Sequence, residues 1–240
     1  MSVLLYSSGL DSELYRLLEE PELLLTFKSG ARYEKFEIEQ INHLRACGKI
    51  TEDLVVDETL NFASLEDNNL VVPMRNIFYI LRALEYGNEV LLGVSSYDMH
   101  YDKQPDVLNA LAGFVQNYYY FREVPETWES VHPRVLTPYR DWTKGQMLRE
   151  AIERGIDVSH IPTLRTCYSS TSKKGCGKCK SCLHKAMALA VNGMFSPELF
   201  DEDPRVFCKG RLPSILEDEN VQNTIDVELF REEATILLES

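Results

Sequence analysis

No stretch of this sequence approaches the roughly 18 consecutive apolar residues of a membrane-spanning helix. The opening MSVLLYSSGL has a four-residue apolar run and no basic region before it, so neither a membrane span nor a cleaved secretory leader is expected and the chain is assigned to the cytoplasm. Positive charge is scarce as well: 25 lysines and arginines stand against 38 acidic residues, a formal net charge of -13. Such a field repels polyanions, and a tRNA or DNA partner would need a strong local basic patch. Nucleic acid and membrane are therefore not expected as partners, and small-molecule chemistry is favoured. Internal repeats and low-complexity linkers are absent too, and no Gly-Lys-Ser/Thr follows a glycine-rich loop, which excludes the Walker type of phosphate site.

What is present suits one principal domain. Of the 240 residues, 44% are apolar, enough for one core of full size and too few for two independent ones. Short apolar runs at Val3 to Tyr6, Leu23 to Phe27, Leu54 to Val56 and Glu89 to Val94 read as buried strands, and a further short run, Val135 to Thr137, precedes another helix. Between and after them, Asp11 to Leu18, Tyr33 to Cys47, Asn76 to Tyr86, Val107 to Phe121, Lys144 to Arg154, about Ser181 to Val191 and a short stretch near Val227 to Leu238 carry helical spacing. Strands separated by helices of this length predict an α/β fold with a doubly wound, mainly parallel sheet. In such sheets ligands bind at the carboxyl ends of the strands.

One of those ends carries YSSGLDSE, Tyr6 to Glu13. The first N–H groups of a helix lack internal partners and its dipole is positive there, so a turn of small residues makes a cradle for phosphate. Ser7 and Ser12 add hydroxyl donors, Gly9 permits a close backbone approach, and Asp11 has a place if it holds a metal ion or braces the loop. An ordinary helix start capped by Ser7 or Ser8 reads equally well on this octapeptide alone. A second feature is TCYSSTSKKGCGKCKSC: Cys176, Cys179 and Cys182 lie three apart, with Cys167 eight residues before Cys176. In a reducing compartment this crowding points to metal ligation over disulfides, and the spacing lets a knuckle present four thiolates to one Zn2+. A closed four-thiolate site has no open position for water, so its role is structural, and Lys173, Lys174, Lys178, Lys180 and Lys185 would offset its charge. Cys47 and Cys208 stand apart and read as packing residues.

Taken together, the Ser-x-Gly-x-Asp-Ser turn, VVPMRNI at Val71 to Ile77, Gly93 with Asp98 beyond it, Thr137-Pro138 with Lys144 after it, and TCY…GCGKCKSC resemble the 7-cyano-7-deazaguanine synthase (QueC) family of the PP-loop, or N-type ATP pyrophosphatase, superfamily. The resemblance runs from Val3 to about Leu189. It implies an adenine nucleotide alpha hydrolase-like core over residues 1–160, a four-cysteine zinc-binding element over 161–195 and an acidic C-terminal extension over 196–240. It further implies a cytoplasmic ATP-dependent C–N ligase in which Ser7, Ser8, Gly9, Leu10, Asp11 and Ser12 cradle pyrophosphate, Asp11 helps place Mg2+, and Lys144 meets the transferred phosphates. Arg75 and Asn76 would line the nucleotide or substrate pocket, and Asp98 and Asp106 would contact the deazaguanine or metal. ATP, Mg2+ and Zn2+ are the implied cofactors, 7-carboxy-7-deazaguanine and ammonia the implied substrates, and a homodimer is expected. For Arg75 and Asn76 a plain helix start after Pro73 remains open, as does a solvated first-turn lysine at Lys144.

Three departures from the family pattern bear on the product. Ser8 replaces the usual second glycine of the turn, which is free of strain only at negative φ. FKSGARY after the second strand keeps only Gly30 and Arg32 of the usual run, and MHYDKQPD after the fourth is lengthened. A conjugating enzyme that joins the activated deazaguanine to an amine of a partner protein, as in bacterial antiviral defence, therefore stands beside the queuosine-type synthase. A tRNA thiolase and an inactive nucleotide-sensing module complete the alternatives; the net charge argues against the former.

Overall fold

The structure is a computed structural model and describes residues 1–66, 72–98, 101–120, 133–167, 174–217 and 226–240. Contacts group the chain into two compact units, the first made of Met1–Ser7, Glu19–Val94 and Asp98–Pro138, the second of Ser8–Leu18, Ser95–Tyr97 and Tyr139–Ser240.

The first unit holds a five-stranded, all-parallel sheet of β1 (Ser2–Leu5), β2 (Leu23–Phe27), β3 (Asp53–Asp57), β4 (Glu89–Leu92) and β5 (Arg134–Leu136), in the order β3-β2-β1-β4-β5. It is the parallel sheet that the apolar runs predict. Because strand side chains alternate between faces, Val3, Leu5, Leu23, Leu25, Phe27, Val90 and Leu92 share one face and pack with Ile80 of α3 (Arg75–Ala83) and Leu108 and Val115 of α4 (Pro105–Tyr120). Leu4, Leu24 and Leu91 on the opposite face are buried as well, which is why the strands read as continuous apolar runs and not as alternating ones. The third helix of this unit, α2 (Glu34–Ala46), turns only Ile41 and Leu44 fully inward. Connections leave β1 toward β2 on one side and β4 toward β5 on the other, so the carboxyl ends of the neighbours β1 and β4 form the topological switch point where such sheets bind ligands.

The second unit is helical. It contains α1 (Leu10–Glu19), counted to Leu18, with α5 (Lys144–Glu153), α6 (Lys180–Ala190), α7 (Pro204–Glu217) and α8 (Val227–Glu239). α6 is buried along nearly its whole length and packs against α5, α7 and α8. Cys182, Leu183, Ala186 and Met187 of α6 form a core with Phe200, Cys208, Phe230, Ala234 and Leu237. α7 has no counterpart among the predicted helices: its PRVFCKGRLPSILE carries both Gly210 and Pro213 inside the helix, and intrinsic propensity argues against such a segment. α4 begins at Pro105, two residues before the predicted start, with proline at its first position where the missing N–H costs nothing. Its predicted last residue, Phe121, lies outside the described residues. No helix among the described residues is long and apolar enough to cross a membrane.

Candidate functional site

Within the second unit the turn that leads into α1 and the start of α5 supply a charged pair. Asp11 stands in the first turn of α1, where a carboxylate suits the positive helix end. Lys144, 133 residues later, opens α5 and donates from Nζ to Asp11 Oδ2. A lysine in the first turn of a helix is electrostatically unfavourable, so its placement there needs anions, and Asp11 is one. The Lys144 and Asp11 side chains are only 14% and 26% exposed, and Asp11 Oδ1 is buried with no hydrogen-bond partner among the described residues. An unpaired buried carboxylate oxygen is costly to leave unsatisfied, which fits an atom awaiting a cation.

The turn itself is tight. Ser12 Oγ donates to Gly9 O at 3.1 Å and Glu13 N to the same oxygen at 2.9 Å. Ser8 is 1% exposed with φ +55°. The strain-free option at negative φ does not hold: Ser8 occupies the left-handed region that a glycine takes without strain. A left-handed residue in a turn is also the backbone arrangement of an anion-binding nest. Ser7, Gly9 and Leu10 complete the segment, Leu10 being buried as the first residue of α1.

The start of α5 is set by a full capping box: Gln146 N donates to Thr143 Oγ1 at 3.1 Å and Thr143 N to Gln146 Oε1 at 2.8 Å. Behind α1, Glu13 is wholly buried, accepts from Arg16 at 2.7 and 3.0 Å, and lies 2.5 Å from His160 Nε2. Sequence reasoning missed this cluster, since an i,i+3 acid–base pair normally marks a solvated helix face.

The other candidate residues belong to the first unit. Arg75 opens α3, its guanidinium 5.4 Å from the Tyr33 ring centre and 5.9 Å from that of Tyr79. Tyr79 in turn stacks on Phe27 at 4.1 Å and donates to Ser29 Oγ at 2.7 Å. Asn76 donates twice to Asp102 Oδ2, from its backbone N at 3.1 Å and Nδ2 at 2.9 Å, so Asp102, which the sequence reading passed over, caps α3. Asp98 is paired with Lys103, another residue not singled out beforehand. Asp106 is exposed in the first turn of α4. Val71, Met99 and His100 of the quoted motifs lie outside the described residues.

The four cysteines converge in the second unit. The Sγ atoms of Cys167, Cys176, Cys179 and Cys182 all lie within 4.8 Å of one another, with Cys179 to Cys167 at 3.8 Å and Cys176 to Cys182 at 3.9 Å. A tetrahedron with Zn–S bonds of about 2.3 Å has ligand sulfurs about 3.8 Å apart, so the donor set fits zinc by both geometry and softness. The neighbouring Cys179 and Cys182 hold the Cys167 thiol well below its ordinary range, while Cys179 is pushed up to about 12, chiefly by Cys167. Gly177 makes the knuckle possible: its φ is +77°, and a Cβ there would fall 1.7 Å from the Glu202 carbonyl oxygen.

Of the lysines expected to balance the site, Lys185 is 2% exposed and donates to the carbonyls of Pro162 at 2.7 Å and Leu164 at 2.5 Å, tying down the strand of chain that leads to Cys167. Burial lowers its pKa to about 8, against the opposing pull of Cys182. Lys178 pairs with Glu202, and Lys173 lies outside the described residues. Cys208 is buried as expected, but Cys47 is not a packing residue; it is exposed where α2 ends.

A sequence model of the family described as "Queuosine biosynthesis protein QueC" matches residues 25–193. The chain is 27% identical over 224 residues to a protein of Psychromonas ingrahamii named 7-cyano-7-deazaguanine synthase, covering 83% of this chain and 97% of that one. It is 28% identical to a protein of the same name from a Marinomonas species, over 71% of this chain and 74% of that one. A third so named, from Alteromonas mediterranea, is 27% identical over 81% of this chain and 96% of its own length.

Proposed function

Because the chain belongs to the QueC family, we propose that it is an ATP-dependent C–N ligase that adenylates 7-carboxy-7-deazaguanine. The observation that carries this reading is the Asp11–Lys144 pair, an acid with one buried oxygen unsatisfied among the described residues and a cation, each at the first turn of a helix in the second unit. The substrate carboxylate is a poor electrophile. Its oxygen attacks the α-phosphorus of ATP, the bond to the bridging oxygen breaks, and pyrophosphate leaves with the electron pair. Ammonia then attacks the acyl carbon and displaces AMP, giving the amide and releasing a proton. A second ATP activates the amide oxygen as a leaving group, and loss of that oxygen with two protons from nitrogen gives the nitrile.

The charge that grows on pyrophosphate is what the site must stabilise. The N–H groups of Ser7 to Ser12 and the hydroxyl of Ser7 would cradle it, the Ser12 hydroxyl would exchange Gly9 O for a phosphate oxygen, and Lys144 would exchange Asp11 for phosphate oxygens as a charge-assisted donor. Mg2+, when bound, would neutralise phosphate charge, and Asp11 is the residue to hold it. Arg75 and Asn76 are assigned to the nucleotide or deazaguanine, and Asp98 and Asp106 to the deazaguanine or metal. Zn2+ held by Cys167, Cys176, Cys179 and Cys182 supplies structure only.

The acceptor of the acyl group, ammonia or an amine of a partner protein, would be selected by the segments that depart from the family pattern. Replacement of Asp11 by alanine tests the reading: AMP formation from ATP and 7-carboxy-7-deazaguanine should be lost while stability stays within about 1 kcal/mol. A variant that turns over normally but unfolds more easily would mark Asp11 as a structural helix-end residue instead.

A further inference from the structure

The C-terminal helix α8 lies beyond the residues that the family model matches, yet it places a buried acid at the start of α5. Glu233 is 5% exposed; its Oε2 accepts from Tyr97 OH at 3.0 Å and its Oε1 accepts from Thr143 Oγ1. Thr143 is fully buried and is the N-cap of α5, directly before Lys144. A hydroxyl has one proton to give. With that proton committed to Glu233, the lone pairs of Thr143 Oγ1 are turned toward Gln146 N, which is the capping bond. The packing leaves no slack: a Cβ at Gly145 would fall 2.8 Å from Glu233 Oε1 and 2.6 Å from Val191 Cγ2. Tyr97, which holds the other carboxylate oxygen, is itself fixed by edge-on contact with Phe230 of α8 at 5.2 Å.

We propose that Glu233 is a positioning residue for Lys144, so that the acidic C-terminal extension belongs to the catalytic apparatus through the chain Glu233, Thr143, first turn of α5. The proposal rests on the reading of Lys144 as a phosphate ligand. A lysine that must meet developing charge is sensitive to displacement, a shift of about 1 Å being able to cost on the order of a hundredfold in rate. Glu233 thus acts on turnover without touching substrate.

The test compares AMP release by the full-length zinc-loaded protein with Glu233→Gln, Thr143→Val and Thr143→Ser variants. The glutamine is isosteric, but its one carbonyl oxygen accepts from only one of the two hydroxyls, and the other must turn its proton away and accept from the amide NH2; at Thr143 that releases the proton that fixes the direction of its lone pairs. Its kcat should fall about tenfold with the KM for ATP within about twofold. Thr143→Val should fall at least as far, Thr143→Ser should stay near wild type, and the double variant Glu233→Gln/Thr143→Val should be no worse than the weaker single one, because the two act as one unit. Hydrogen exchange at amides 144–147 should quicken in Glu233→Gln while the rest of α5 stays protected. Wild-type kcat in Glu233→Gln overturns the inference, whatever the exchange shows, and so does a drop in melting temperature with turnover per folded molecule unchanged. An active Lys144→Ala variant would instead overturn the assignment of Lys144, and a wild-type protein that releases no AMP would overturn the proposed function and this inference with it.

Discussion

Removing zinc should cost this protein far more than removing a surface cofactor would. The cysteine sulfurs already stand 3.8 and 3.9 Å apart in two pairs, against about 3.8 Å in an ideal Zn–S tetrahedron, so little reorganisation opposes binding. Structural zinc contributes about 10–16 kcal/mol to folding in small zinc-bound peptides, a range that overlaps the total stability of an ordinary domain, about 5–15 kcal/mol. Zinc affinity for the unfolded thiols reduces the effect, but if a third survives, about 4 kcal/mol, the melting temperature should fall by roughly 8–16 °C for a chain of this size. The loss should spread beyond the knuckle. Cys176 and Cys182 are 6% and 0% exposed within the core that also contains Phe200, Phe230 and Leu237, and without the metal the buried Lys185 ammonium loses the −2 charge of a zinc tetrathiolate nearby. The assay is metal stoichiometry by mass spectrometry, with calorimetry before and after chelation and on Cys179→Ser. About one zinc per chain and a lowered, broadened transition are expected; a zinc-free protein with an unchanged melting temperature would refute the assignment.

Two further outcomes follow from single residues. Ser8→Gly removes a left-handed non-glycine strain of roughly 1 kcal/mol but also frees the unfolded chain by about 0.5–1 kcal/mol, so chemical denaturation should show a change under about 1 kcal/mol with turnover retained; a large loss of stability would mean that the buried Ser8 side chain, not its backbone angle, holds the turn. Asp57 lies at the end of β3, and although burial pushes its pKa up, hydrogen bonds from Thr59, Arg82 and Tyr86 outweigh this and bring it from 3.8 to about 2. Its folded pKa is depressed, so its contribution, on the order of 2 kcal/mol, is fully present above about pH 4 and disappears as pH falls toward 2; Asp57→Asn should flatten the acid limb of the stability curve between those values, and an unchanged limb would contradict the assignment.

Much of the fold is legible in the sequence because a parallel sheet buries both strand faces, which leaves runs such as VLLY, LLLTF and EVLL that periodicity finds directly. α7 is hidden by Gly210 and Pro213, since tertiary contact and not propensity makes it helical. At the candidate site the individual residues are legible and their partnerships are not. Asp11 and Lys144 each look like first-turn residues, and nothing local announces a bond across 133 positions. Glu233 hides differently. It lies in VELFREEATILLE, one acid among several in an acidic tail, and only the packing of α8 separates it from its solvated neighbours. The same holds for Glu13, whose burial with Arg16 and 2.5 Å from His160, 147 residues away, turns an ordinary-looking helix pair into a fixed polar cluster.

Adenylation of the acid is read directly by mass spectrometry of the products formed from ATP, Mg2+, ammonia and 7-carboxy-7-deazaguanine by the zinc-loaded protein. AMP and pyrophosphate should appear in step with consumption of the acid, followed by the amide and the nitrile. AMP that accumulates while the deazaguanine stops at the adenylate or amide would move the product assignment to the conjugating enzyme, and the absence of AMP under every condition would rule out adenylation of the deazaguanine acid by this protein.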